Sequence, residues 1–297
     1  MSFPIILAHG GAGAPNRDSD GPEAACKHAL KFLTDGEIDA ALRAVIEAAV
    51  ILEDDVRFNA GTGANMRIDG SIQMDAILAT SDGRIGSVAA IEKCRNPVRV
   101  ARLVIDSPHV MLCGDGATQF ARHRGVPEHD MTTPKAQDRH AKALERLKTG
   151  ELRPTEQKWR GRGMHGTIGA VARAADGTFA VSCSTGGTSM MLPGRVGDSP
   201  IFGAGTMCGE HGAVCATGDG EEIIRRLASM RVYLRIAAGE HPQQACEAEV
   251  ATIPAPYVAG FIAVSAAGYG MAATKDDMAR AALEYRDGKV SIQRPAS

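Results

Sequence analysis

Apolar residues recur along this chain in short runs whose lengths and spacings outline its elements. Ile5 to Ala8 is a continuous apolar run ending in His9-Gly10-Gly11-Ala12-Gly13, which predicts a buried strand entering a tight glycine turn. Two helices are expected next. Pro22 stands where a first helical turn tolerates proline, and Ala41, Leu42, Val45, Ile46, Ala49 and Val50 repeat at helical spacing through Leu52. Beyond the glycine-rich loop Asn59-Ala60-Gly61-Thr62-Gly63, Ser71 to Ala79 and Ile85 to Ile91 read as hairpin strands around Ser81-Asp82-Gly83. Val98 to Ile105 is again helical, and Val110 to Cys113 is a short strand.

The pattern then changes. From Thr132 to Gly163 the chain carries nine Lys or Arg, four Asp or Glu, two prolines and the only tryptophan, Trp159. This predicts a mobile surface segment with one helix inside it, because a connection this long is functional or a linker when it occurs in a compact domain. After Gly163 the chain is strand-rich: Gly166 to Ala172, Phe179 to Ser184, Ile201 to Gly205 and Ala213 to Thr217, separated by glycine turns. A helix is expected from Glu221 to about Ala238 and another from Gln243 to Val250. Strands follow at Phe261 to Ser265 and Gly270 to Ala273, and a last helix at Asp276 to Leu283. Helices and hairpin strands in both halves predict an α+β protein with helices outside a sheet sandwich.

Composition narrows the function classes. Glycine is 34 of 297 residues, which fits many tight turns, and the net charge of −2 provides no basic field to hold nucleic acid. The seven cysteines are odd in number and none is spaced C-x-x-C, so a disulfide framework and a zinc ribbon lose support. No stretch approaches 18 apolar residues, and the N-terminus lacks a basic region ahead of its short apolar run. The expectation is a reduced, soluble, cytoplasmic protein with no membrane partner.

Candidate chemistry starts at Met164-His165-Gly166-Thr167-Ile168-Gly169, where a long polar segment ends and a buried strand begins. A threonine hydroxyl is a weak nucleophile until a base adjoins it, and one arrangement uses the threonine's own α-amino group, which exists only after the preceding bond is cut. Such an amine titrates near about 7.7–8.0 and is partly neutral at physiological pH. An ordinary strand start is the alternative reading of the triplet alone. Four further segments accompany it: Ser184-Thr185-Gly186-Gly187, Leu192-Pro193-Gly194-Arg195-Val196-Gly197-Asp198-Ser199-Pro200, Gly203-Ala204-Gly205-Thr206 and Thr217-Gly218-Asp219-Gly220-Glu221. Arg195 with Asp198 reads as a clamp for an amino-acid zwitterion, guanidinium on carboxylate and carboxylate on ammonium, with an exposed ion pair in a loop as the alternative. Thr217-Gly218 precedes a helix N-terminus, where backbone N–H groups can face a developing oxyanion. The histidines show no metal-ligand spacing.

With His9-Gly-Gly-Ala-Gly and Asn59-Ala-Gly, this set resembles the isoaspartyl peptidase/L-asparaginase family, the plant-type asparaginases among the N-terminal-nucleophile hydrolases. The resemblance runs from His9 to about Met278. It implies a four-layer αββα sandwich and self-cleavage between Gly166 and Thr167, giving an α chain of 1–166, with 132–166 as its tail, and a β chain of 167–297. Thr167 would be the nucleophile, Thr185 its assisting threonine, and Asn59 an asparagine beside it. Arg195 and Asp198 would hold the substrate's α-carboxylate and α-amino group, Thr217 and Gly218 would form the oxyanion segment, and Gly220 would adjoin the substrate. Leu52 to Gly61 matches a loop that binds sodium in relatives, and no other cofactor is implied. The implied assembly is a homodimer of αβ heterodimers, and the implied substrates are β-aspartyl dipeptides and L-asparagine. Thr188-Ser189-Met190-Met191 and Ala272-Ala273-Thr274 depart from the family pattern. The alternatives are a glycosylasparaginase, which usually has Asp where Gly166 stands, a threonine-type endopeptidase of the same fold, and a non-maturing binding protein.

Overall fold

The computed structural model describes residues 3–149, 166–275 and 277–295. In chain order the elements begin with β1 (Ile5–Ala12), α1 (Asp20–Thr34), α2 (Ala40–Asp54), β2 (Met74–Thr80), β3 (Ile85–Ile91) and α3 (Pro97–Ile105). Then follow β4 (Met111–Cys113), α4 (Gly114–His123), α5 (Pro134–Lys148), β5 (Ile168–Arg173), β6 (Phe179–Thr185), β7 (Thr206–Gly209) and β8 (Gly212–Gly218). The chain closes with α6 (Gly220–Arg226), α7 (Ala228–Ala237), α8 (Pro242–Val250), β9 (Ala259–Ser265), β10 (Gly268–Ala273), β11 (Met278–Arg286) and β12 (Lys289–Gln293).

An eight-stranded sheet, ordered β12-β11-β1-β5-β6-β2-β3-β4, faces a four-stranded sheet ordered β10-β9-β8-β7. Ile5, Leu7, Val171, Val181 and Cys183 of the larger sheet pack on Cys215, Ile262 and Val264 of the smaller one. The opposite face of the larger sheet, through Ile6, Ala8, Ile168 and Ala170, packs on α1 and α2. The outer face of the smaller sheet, through Val214, Ala216 and Phe261, packs on α7 and α8. Strands β1, β5 and β6 are therefore buried on both faces, which is why they are made mostly of apolar and small residues. This is the αββα sandwich.

Several elements differ from the sequence-based expectation. Of the segment expected to form the last helix, Asp276 to Leu283, the residues from Met278 onward are in strand β11, paired antiparallel to β1 with Leu283 opposite Ile6. Its Ala-rich composition favours helix, but the open edge of β1 satisfies its backbone groups and buries Met278, Ala279 and Leu283, and tertiary pairing overrides propensity. The expected helix from Glu221 to Ala238 is broken into α6 and α7 at Leu227, whose φ of 49° is left-handed. Ile201 to Gly205 forms turns, and the strand begins at Thr206. Helix α4 was not expected. Within the basic segment, the structure places α5; Trp159 and His165 lie outside the described residues.

Candidate active site

Gly166 and Thr167 stand immediately before β5, the strand flanked by β1 and β6. Antiparallel pairing brings the end of β1 beside the start of β5 (His9 opposite Gly169) and the end of β6 beside it (Ser184 opposite Ile168). The end of β8 in the facing sheet reaches the same place, where the Ala12 backbone N–H donates to Thr217 Oγ1 at 3.1 Å. Four strand ends from distant parts of the chain thus converge on the Gly166-Thr167 bond. Gly11 lets them do so: its φ of 109° is a glycine conformation, and a Cβ there would stand 2.6 Å from Gly166 Cα.

The predicted residues Asn59, Gly166, Thr167, Thr185, Arg195, Asp198 and Gly218 line one cavity of about 10 Å³, on the order of one water. Thr217 and Gly220 do not line it. Thr217 is fully buried with its hydroxyl turned to β1, and Gly220 lies behind Asp198 and Arg195. Thr167 Oγ1 donates to Thr185 Oγ1 at 3.2 Å, and Thr185 Oγ1 also accepts from the Gly187 N–H at 3.1 Å. Asn59 is anchored on both sides of its amide. Its Nδ2 donates to the Gly187 carbonyl at 2.6 Å, and its Oδ1 accepts from the Asn65 N–H at 2.9 Å.

Asp198 is buried and its Oδ2 has no hydrogen-bond partner among the described residues. Burial pushes its carboxyl up to about 7, with the Arg195 charge opposing that rise. Arg195 corrects a simpler picture. Its Nε and Nη2 fork is already bound by both oxygens of Glu221, at 2.9 Å each, which leaves Nη1 on the side of Gly197. Gly220 is where these groups crowd: a Cβ there would stand 2.8 Å from Asp198 Oδ1 and 2.9 Å from Arg195 Nη2.

Sequence reasoning missed Glu221 as the partner of Arg195, although it closes the Thr217-to-Glu221 motif. It also missed Asn65, Arg67 and Asp75, which no signal in the sequence marked. Arg67 is wholly buried beside Gly187, and Asp75, buried between Ala90 and the arginines, has its carboxyl pushed up to about 6 by desolvation. His9 is buried beneath Thr167's strand with Nε2 3.4 Å from Cys215 Sγ, and burial lowers its imidazole to about 3, so it stays neutral. No cluster of three or more His, Cys, Asp or Glu able to hold a metal occurs among the described residues. No helix among them is long and apolar enough to cross a membrane.

Comparison with known proteins places this site in context. The sequence model of the Asparaginase family matches residues 2–292. An isoaspartyl peptidase/L-asparaginase of Danio rerio is 37% identical over 262 residues, covering 84% of this chain and 81% of its own. A plant-type L-asparaginase of Pyrococcus abyssi is 38% identical over 82% of this chain and 83% of its own. An N(4)-(β-N-acetylglucosaminyl)-L-asparaginase of Elizabethkingia miricola is 39% identical over 76% of this chain and 64% of its own.

Proposed function

Because this chain belongs to the isoaspartyl peptidase/L-asparaginase family of N-terminal-nucleophile hydrolases, we propose that it hydrolyses β-aspartyl dipeptides and L-asparagine to L-aspartate, with Thr167 as nucleophile. The observation that carries the reading is the convergence of Gly166, Thr167, Thr185, Arg195 and Asp198 on one cavity. Maturation comes first. Thr167 Oγ attacks the Gly166 carbonyl carbon, its proton passing by way of Thr185 to the Thr167 nitrogen as the C–N bond breaks, which leaves an ester and a free Thr167 amine. Water then hydrolyses the ester to a Gly166 carboxylate and the Thr167 hydroxyl. Gly166 fills the cavity wall in the uncut chain, so cutting also opens room for substrate.

In turnover the Thr167 amine takes the Oγ proton as Oγ attacks the side-chain amide or isopeptide carbonyl, and the proton passes to the departing ammonia or amine. Gly218, on the cavity wall, is the backbone group proposed for the oxyanion, and Asn59 adjoins the same carbonyl. Water releases aspartate from the acyl-enzyme. Asp198 holds the substrate ammonium, which in turn keeps the carboxylate ionised, and Arg195 Nη1 holds the α-carboxylate while Glu221 braces the rest of the fork. Thr217 serves by fixing the end of β8 to β1.

The sodium loop is compatible with this family trait. The Glu53 carbonyl oxygen lies against Gly61 and those of Val56 and Phe58 against Gly63, each within 3 Å of where a Cβ would stand, and carbonyl oxygens are the donors a hard cation takes. A cation there would brace the loop carrying Asn59; Lys135 Nζ also reaches the Val56 carbonyl, at 3.3 Å. For assembly, the reading includes a homodimer of αβ heterodimers, with Leu192, Leu227 and Leu234 as exposed apolar side chains available to it. The glycosylasparaginase alternative is disfavoured by Gly166 itself, which stands where that enzyme usually has Asp and where a Cβ would crowd Asn59 Cβ at 2.9 Å.

The test is denaturing intact-mass spectrometry of fresh and aged protein beside Thr167→Ala, with hydrolysis of β-aspartyl-leucine and asparagine assayed in parallel. The wild type is expected as fragments ending at 166 and beginning at 167, and the variant as one chain. An uncut, inactive wild type would overturn the reading.

A further inference from the structure

Helix α5 belongs to the segment ahead of the Gly166-Thr167 bond, outside the site as the sequence outlines it. Its docked face is nevertheless specific. Thr133 caps it by accepting from the Ala136 N–H, Ala136 is buried, and three polar side chains on that face reach one loop: Lys135 Nζ to the Val56 carbonyl at 3.3 Å, Arg139 Nη1 to Asn65 Oδ1 at 2.7 Å, and His140 Nε2 to the Ile68 carbonyl at 3.2 Å. Residues 135, 136, 139 and 140 share a face because they are spaced by one turn.

The Arg139 bond differs from its neighbours in where it leads. Asn65 is buried, and its Nδ2 donates to the Gly187 carbonyl at 3.1 Å while its N–H holds Asn59 Oδ1. Gly187 in turn donates its N–H to Thr185 Oγ1, the acceptor of the Thr167 hydroxyl. An unbroken path of hydrogen bonds thus runs from a half-buried guanidinium on α5 through Asn65, Gly187 and Thr185 to Thr167. An amide whose oxygen is held by a charged donor cannot rotate without breaking a charge-assisted bond, so its NH2 stays aimed at Gly187.

We infer that Arg139 is a positioning residue for the nucleophile, and that the tail of the α chain stays docked through α5 to keep Thr185 in place after the chain is cut. This rests on the assignment of Thr167 and Thr185 made above. The tail is then a part of the working site, and its removal is not neutral.

The test uses full-length protein with four variants: Arg139→Met, Arg139→Lys, Asn65→Ala and the Arg139→Met/Asn65→Ala pair. Maturation rate is read by intact mass, kcat and KM with asparagine, and folding by thermal melting. Arg139→Met is expected to mature slowly and to lose roughly tenfold in kcat, within the two- to thirtyfold that positioning through packed networks carries, with KM changed less than about twofold. Arg139→Lys, which keeps a charged donor, is expected to recover most of the loss, and the double variant to be no worse than Asn65→Ala alone. Wild-type kcat in Arg139→Met, no recovery in Arg139→Lys, or losses that multiply in the double variant would each overturn the inference. If Asn65→Ala does not fold, the contrast between Met and Lys at 139 decides the matter. An inactive wild type overturns the amidohydrolase reading and this inference together, whereas an active wild type with an indifferent Arg139 overturns this inference alone.

Discussion

Gly220→Ala isolates the substrate clamp from the nucleophile. The added Cβ would meet Asp198 Oδ1 at 2.8 Å and Arg195 Nη2 at 2.9 Å, while ordinary contact begins at 3.4 Å, so the clamp must open by about 0.6 Å. Asp198 is 3% exposed and sits between backbone segments that leave it little room to retreat. A misplacement of 1 Å at a reacting group costs about a hundredfold in rate, so a shift of this size corresponds to roughly tenfold in kcat/KM for asparagine. The loss should appear mostly in KM, because the clamp grips parts of the substrate that do not change during reaction. Cleavage at Gly166 should proceed normally, since no clamp residue has a part in it. Gly220 is the first residue of α6, where alanine is the better helix former by up to about 1 kcal/mol, so the melting temperature should not fall by more than the clash removes. The assay is steady-state ammonia release from fully matured protein, with maturation confirmed by mass. A matured Gly220→Ala enzyme with wild-type KM and kcat/KM would refute the placement of substrate between Asp198 and Arg195.

Two further predictions address maturation and pH. Gly11→Ala is expected to block cleavage while the clamp stays intact: its φ of 109° strains any L side chain by about 1–3 kcal/mol, and its Cβ would press on the backbone of Gly166, so maturation should slow by roughly ten- to a hundredfold. Processing at the wild-type rate, followed by mass over time, would count against that. Asp198→Asn, in a Thr167→Ala background that keeps the chain single, is expected to flatten part of the pH dependence of stability. The Asp198 carboxyl is raised from the ordinary carboxylate value to about 7 by burial, so the native state binds its proton more tightly than the unfolded chain. That contribution is full below about pH 4 and is lost as pH rises through 7. Urea denaturation between pH 5 and 7.5 should therefore show the parent losing stability relative to Asp198→Asn as pH rises; parallel profiles would show that Asp198 is ionised throughout.

Much of the candidate site was legible because the residues that line its cavity lie in local motifs. Gly166-Thr167, Ser184-Thr185-Gly186-Gly187, Arg195 to Asp198 and Thr217 to Glu221 each sit at a strand end or glycine turn, and alternation of apolar runs with glycine marks such places without knowledge of the fold. The strands β1, β5, β6 and β8 were likewise readable, since burial on both faces favours sequences of apolar and small residues.

Pairing between distant segments left no such mark. Met278 to Arg286 has the composition of a helix and becomes a strand because β1 offers it an open edge. Leu227 breaks a helix through a left-handed residue that no local signal demanded. Glu221 was in view as a residue, but its hold on Arg195 depends on how the 192–200 loop folds back over α6. Arg139 is one of nine cations in a polar stretch and is singled out only by the buried Asn65 at 2.7 Å. The sequence by itself determined which groups can do chemistry and which strands are buried, because those properties belong to residue type and periodicity. Tertiary structure alone decided which polar groups meet, because in a buried site each donor must find its acceptor across the chain, and that match is a property of the whole packing.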